Sequence, residues 1–350
     1  MSANRFGERF LGRDKPAWDH IGKTFSGEIT AVQAVKDSGL DYRVEVCSML
    51  ANVESVFGSA ALPVVGRKAI IRDATQDDPQ LRVLGVAGDD YKVIQNTELA
   101  ELLDRFIPGY VVETVGALGV GETVFYCLRF PQDAEISGDQ IKQYFLITDT
   151  KDGKTALRMA FTPVRVVCQN TLIAGLSQAT VKVALTHGTS IFDDVNFRLG
   201  LLGKLNNAQT TTLNTFQQLA EIAIKMPSVD KILEAAYPLP GKPGKVDLLS
   251  ENPELFEGQD EIKDSLSAVN NQWLYYCKLA QTRREETKNR LEKLNDEFPK
   301  IARTPWAVWQ ACVENEDFRD GPESMYASAI FGDRAKTKIR AFNKCLEYIK

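Results

Sequence analysis

The stretch "QYFLITDTKDGKTALRMAF", residues 143–161, decides the fold class. Two runs of aromatic and β-branched residues flank Asp152-Gly153, and a glycine there supplies the positive φ that a tight type I′ turn needs. The spacing therefore predicts an antiparallel hairpin. Upstream, "YVVETVGALGVGETVFYCLRF" (110–130) places Gly119 and Gly121 between two further β runs and predicts a second hairpin. Earlier strands are expected at Tyr42–Cys47, Val64–Arg72, Leu81–Val86 and Tyr91–Ile94, separated by Gly, Pro and Asp clusters. "NTELAELLDRFIPG" (96–109) reads as a helix capped by Asn96, with Glu98 and Glu101 in its first turn and Pro108-Gly109 past its end.

Beyond "PVRVVC" (163–168), a short helix and a strand in "ATVKVALTH" (179–187), the pattern turns helical. Val195, Leu199, Leu202, Leu213, Phe216, Leu219 and Ala223 recur at helical spacing until Met226-Pro227 ends the run. "YPLPGKPGKVD" (237–247) has the Pro/Gly density of an exposed loop. Ile262, Leu266, Val269, Trp273, Tyr276 and Ala280 then repeat by threes and fours before the charged "TRREETKNRLEKLNDEF" (282–298). That predicts a helix packed at its N-terminal part and solvated later, with an intermolecular coiled coil as the alternative. The fold class is α+β, mainly antiparallel sheet in a domain at 1–190 and long helices at 191–350.

The 350 residues are 44% hydrophobic and 25% charged, the balance of a soluble globular chain. No apolar run approaches a membrane span, and "MSANRFGERFLGRDKP" lacks a signal peptide's apolar centre, so a cytoplasmic location is expected. Six cysteines show no ligand spacing, so neither a metal nor a disulfide framework is expected. The net charge of −5 argues against coating duplex DNA by bulk charge, although the C-terminal "DRAKTKIRAFNKCLEYIK" is locally basic.

Catalytic motifs are weak. "GLLGKL" (200–205) is too short for a phosphate-binding Walker loop, and Gly116, Gly119 and Gly121 sit at a turn rather than in a dinucleotide fingerprint. Asp149, Asp152 and Lys154 resemble the acids and lysine of a metal-dependent nuclease, but a turn accounts for the latter two. Asp193-Asp194 fits the first turn of a helix. Cys168 and His187 would make a nucleophile and base only if their strand ends met. Trp306 and Trp309, after Thr304 as cap and Pro305, read as core. No cofactor and no catalytic residue is expected.

An anion site is better motivated. With a strand at Val164–Cys168 and a helix from Thr171, Asn170 becomes an N-cap and the free amides of that helix face the strand end, where Arg165 adds a bidentate cation. Lys142, Tyr144, Arg158 and Lys182 alternate with apolar neighbours, so they are expected on one polar face. Such a face suits the phosphates and bases of single-stranded nucleic acid; a solvated face with salt bridges is the competing explanation.

"YKVIQN" (91–96), "ETVGALGVGE" (113–122), "RVVCQNTL" (165–172), "TPWAVWQACVEN" (304–315) and "FGDRAKTKIRAF" (331–342) resemble the phage/plasmid-like protein family, whose domain is of unknown function. The resemblance implies a bacteriophage or mobile-element origin and action in a bacterial host. A more distant similarity, of architecture, is to phage single-strand annealing proteins, which implies oligomers that pair DNA without ATP. The expectation is a non-enzymatic homo-oligomer that binds single-stranded DNA; the alternative is an interaction or structural module binding a phage or host protein.

Overall fold

The computed structural model describes residues 22–56, 58–106, 109–155, 157–165, 183–185, 195–244, 254, 260–317 and 333–349. Their contacts group into two units that divide between residues 215 and 216, with 333–349 joining the second. The expected border at 190/191 lies outside the described residues.

The chain is α+β. In the first unit, β1 (Lys23–Thr24) and α1 (Ala31–Asp37) lead into a three-stranded sheet of β2 (Val44–Ser55), β3 (Gly58–Arg72) and β4 (Arg82–Ala87). Helix α2 (Asn96–Phe106) precedes β5 (Val111–Leu118), β6 (Thr123–Arg129), β7 (Ala134–Ile136), β8 (Asp139–Thr150), β9 (Leu157–Arg165) and β10 (Val183–Leu185). A seven-stranded sheet orders them β1-β5-β6-β8-β9-β10, with β7 beside β8, and its pairings are antiparallel. Its core face carries Tyr126, Leu128, Phe145, Ile147 and Met159, on which Leu99 and Leu103 of α2 also pack. Tyr110, Phe130 and Phe145 join there with ring centroids 4.5–5.1 Å apart, a spacing that favours edge and tilted aromatic contacts.

Both predicted hairpins are present. The hairpin at 143–161 differs in its turn: Thr148 pairs with Arg158, so the connection is longer than two residues. Gly153 has φ +78°, while the Asp152 carboxylate accepts from the amides of Lys154 and Thr155 and from the Thr155 hydroxyl at 2.7–2.8 Å. A side-chain-held turn thus replaces the expected type I′ turn. That turn type fits Ser137-Gly138 instead, where φ values of 50° and 94° join β7 to β8. Tyr91–Ile94 is not a strand; the Gln95 side chain exchanges two hydrogen bonds with the Val44 backbone and occupies the ladder position a strand would take.

Helix α3 (Val195–Glu221) ends before Met226-Pro227, which opens rather than closes a helix, α4 (Met226–Ala236). Proline tolerates the first turn because its missing N–H has no helical partner there. Long α5 (Asp260–Glu297), a short 3-10 turn (Pro299–Ile301), α6 (Pro305–Asp317) and α7 (Asp333–Leu346) complete the second unit. Thr304 caps α6 through the Ala307 amide at 3.2 Å. Trp306 and Trp309 are core residues, packed with Phe216 and Phe342 at centroid distances of 4.5–5.3 Å.

Helix α5 reverses the expected pattern. Ile262, Val269 and Tyr276 are exposed, whereas Thr287, Leu291 and Leu294, inside the charged stretch, are buried. Arg284 explains the anchoring of that half: its guanidinium donates twice to the Tyr237 carbonyl, at 2.8 and 3.0 Å, so a cation on the sequence serves as a structural donor. The basic C-terminal segment is similarly absorbed, with Arg334 and Lys338 buried.

Candidate functional site

The expected cationic face is not assembled among the described residues. Tyr144 is fully buried. Its hydroxyl lies beside Glu113 and the Arg129 guanidinium, and burial pushes its pKa far up. It cannot stack a base, because both faces of the central strands are covered, not one. Arg158 is exposed, and Lys142 is half-buried. Their register partners are Thr148 and Val164, six residues along β8 from one cation to the other, or about 20 Å. Arg165 continues β9 opposite Ile141 rather than starting a new strand. Asn170, Lys182, Cys168, His187 and Asp193-Asp194 lie outside the described residues.

The structure instead builds a buried ionic centre that sequence reasoning missed. Asp149 and Lys151 follow Phe145 and Ile147 at every second position, so they share the core face. Lys151 Nζ donates to Asp149 at 2.5 Å and to Asn96 Oδ1 at 2.6 Å, and neither charged side chain reaches solvent. Asn96 donates to the Leu40 carbonyl at 2.7 Å, and its own carbonyl accepts from the Tyr126 hydroxyl at 2.9 Å. It is therefore a tie between α2, the sheet and the Leu40 loop, not the expected side-chain cap. Glu98 supplies that function by accepting from the Gln95 amide at 2.9 Å.

The same polar layer fastens the three-stranded sheet. Tyr42 donates to the Gly121 carbonyl at 2.6 Å, and Arg72 Nε donates to the Val120 carbonyl at 2.6 Å, both at the β5–β6 turn. Burial pushes the Tyr42 hydroxyl up to about 12, so it remains a donor at ordinary pH. Arg72 also pairs with Asp78, which receives two bonds from Arg82 at 2.9 Å. Hydrogen bonds from Arg82, and then from Arg72, outweigh burial and hold the Asp78 carboxyl at about 2, below its usual 3.8. A depressed carboxylate stabilises the fold above its unfolded pKa and loses that contribution as pH falls through the folded value. The stability difference between the protein and Asp78→Asn, followed by urea midpoints, is expected to be constant above about pH 4 and to shrink between about pH 4 and pH 2.

Fixed at its base in this way, the three-stranded sheet presents an outer face of unusual composition. Its rows are Glu45–Ile71–Val83 and Cys47–Ala69–Val86, and farther along come Ala51–Leu62 and Val53–Ala60. The register shift lies on β3, where five residues separate the partners of Ser48 and Leu50 and Gly66 adopts φ +76°. Strand β2 therefore keeps its alternation, with Cys47, Met49, Ala51 and Val53 outward and Ser48, Leu50, Asn52 and Glu54 on the other side, where Leu50 is itself 62% exposed. Glu45, at the base of the outward rows, is paired with Arg43 at 2.8 Å, and exposed Arg67, two positions before Ala69 on β3, adds a further charge to this side. Yet this apolar side is open: Val83 is 62% exposed, Leu62 53% and Val53 43%. The signal was present as an apolar/polar alternation over 47–54, but Leu50 breaks it and alanine and asparagine have low strand propensity, which concealed it.

Among the described residues no cluster of His, Cys, Asp and Glu is placed to hold a metal ion, and no helix is long and apolar enough to cross a membrane. Neither the curated proteins nor the solved structures contain a match to the chain. A family model does match, over residues 83–320. The match begins within β4, so β2 and β3 precede it, while Asn96, Asp149 and Lys151 fall inside it. On that match the chain belongs to the DUF932 family, a domain of unknown function.

Proposed function

We propose that the protein is a non-enzymatic interaction module whose partner covers the outer face of β2, β3 and β4, acting in the bacterial cytoplasm in the phage or mobile-element setting implied by its resemblance. One observation carries this reading: a sheet face with the composition of a core stands open to water. Contiguous exposed apolar surface at or beyond the 300–600 Å² of an ordinary monomer's largest patch marks an interaction site. The experiment is protection of the Cys47 thiol, half-buried on this face and free; its outcomes close the Discussion.

Single-stranded DNA binding is the second reading. It is supported by Arg158, exposed and without an ion pair among the described residues, and would work through phosphate contacts that weaken with salt. The outer face is mainly apolar in its paired rows, which is why protein association is preferred.

A further inference from the structure

We propose that the free edge of β2 pairs with β2 of a second copy of this chain, antiparallel and about a two-fold axis at Leu50, joining two three-stranded sheets into one. This pairing uses the strand's hydrogen-bonding edge and is independent of what covers the outer face. Strand β2 is the last of its sheet, and among the described residues no backbone group pairs with its outer edge. Val44 shows which groups point that way: its N–H and C=O bond to the Gln95 side chain at 3.0 and 2.8 Å, away from β3. Backbone groups alternate in direction along an edge strand, so those of Val46, Ser48, Leu50, Asn52 and Glu54 face the same opening. Pro63, opposite Leu50 on β3, agrees with this, since it has no N–H to give. Strand β2 carries neither the proline nor the lysine that usually guards an edge, and an unguarded row of donors and acceptors is a template for another strand.

Two features select a copy as the partner. The first is length. The open row ends at Val44, where Gln95 fills the ladder, and at Val56, where the strand gives way to its turn, and the two lie equally far from Leu50. A copy of β2 laid antiparallel about Leu50 therefore stops where the Gln95 plug begins. The second is patterning. That register sets Cys47 against Val53 and Met49 against Ala51 on one face, and Ser48 against Asn52 and Leu50 against itself on the other. Apolar meets apolar and polar meets polar, while Glu54 meets Val46, so no like charges stand opposite. Shifting the register one step either way sets Leu50 against Ser48 or Asn52 and loses the match. The two-fold register forms about ten backbone hydrogen bonds, two in each edge-facing pair. It also widens the ribbon beyond β4 from two strands, which are marginal in water, to four.

The experiment is size-exclusion chromatography with light scattering on the full chain. Wild type is expected to show twice the chain mass at tens of micromolar. Asn52→Pro removes an edge-facing N–H and leaves the ladder to β3 intact, so it is expected to keep the wild-type melting profile at matched low concentration. Its dimer affinity is expected to fall at least ~100-fold, to a single-chain mass. The register is tested by charge. Ser48→Glu with Asn52→Glu sets acid against acid twice and is expected to weaken the dimer at least ~10-fold, whereas Ser48→Glu with Asn52→Lys sets acid against base and is expected to dimerise like wild type. Amide exchange followed by NMR supplies a further readout. The amides of Val46, Ser48, Leu50, Asn52 and Glu54 should gain protection with concentration, while those of Cys47, Ala51 and Val53, which face β3, should not. A single-chain mass for wild type, a dimer indifferent to Asn52→Pro, or the same response from both charge pairs overturns the proposal. So does protection of that alternate row in a monomer by another protein's extended segment. A monomeric wild type whose Cys47 is nevertheless shielded in cells sinks the edge pairing and leaves the outer-face reading standing.

Discussion

Lys151→Met is expected to lower the unfolding free energy by about 3–5 kcal/mol, the usual result of removing one partner from a buried ion pair. Methionine fits the space of the lysine stem, so packing is kept and the loss is electrostatic. The Asp149 carboxylate is left in the core without its ammonium, and Asn96 loses the donor to its Oδ1. The double variant Asp149→Asn, Lys151→Met is expected to recover most of the loss, because it removes both charges together. The pH dependence gives an independent check. In the single variant the stranded carboxyl has its folded pKa raised above the unfolded value, so folding is favoured as pH falls and the deficit against wild type shrinks toward about pH 4. Urea unfolding at several pH values measures all three statements. A deficit under about 1 kcal/mol would mean that water or rearrangement replaces the ammonium.

The second large effect is expected at Gly85 and Gly153, where β4 meets the β8–β9 turn. A Cβ on Gly85 would collide with the Asp152 carbonyl oxygen and stand 2.6 Å from its Cα. A Cβ on Gly153 would run into the Val86 carbonyl, with its carbon at 2.8 Å, and the residue holds φ +78°. The obstacles are backbone on both sides, so no side chain can rotate away. Gly85→Ala is expected to cost about 3 kcal/mol, at the upper end for overpacking. Gly153→Ala adds about 1–2 kcal/mol of left-handed backbone strain to its clash. Beyond stability, either variant should pry the three-stranded sheet from its seat, so hydrogen exchange is expected to rise across 82–87 before it rises across 123–129. Equal and simultaneous exchange in both segments would show that the two sheets unfold as one piece.

The hairpins were legible because turn glycines and alternating runs act locally. Gly119, Gly121 and Gly153 have the positive φ their positions imply. What the alternation hid was the second layer. Lys142 and Tyr144 share a face of β8, yet Tyr144 is buried against Glu113, because a face is polar or apolar only according to what covers it. Lys151 stands next to Asp152, at the start of the turn. Nothing in its local sequence shows that Asn96, 55 positions earlier, accepts a hydrogen bond from its ammonium. The reversal along α5 has the same origin: at its charged end Thr287 is buried and Arg284 half-buried, because Tyr237 offers acceptors there, through its hydroxyl to Thr287 and its carbonyl to Arg284. Pairings between distant residues, not periodicity, decide these positions.

The outer face of β2, β3 and β4 is tested most directly by alkylating the protein in the cells that make it and following Cys47 by peptide mass. Cys277, half-buried on α5, serves as reference in the same molecules. A covered face should leave Cys47 at least about tenfold slower than in Val53→Glu, the equivalent of ~1.4 kcal/mol of protection, with Cys277 unchanged. If Cys47 reacts at the same rate in wild type and variant, the face is bare in the working protein and its role as an interaction surface is contradicted.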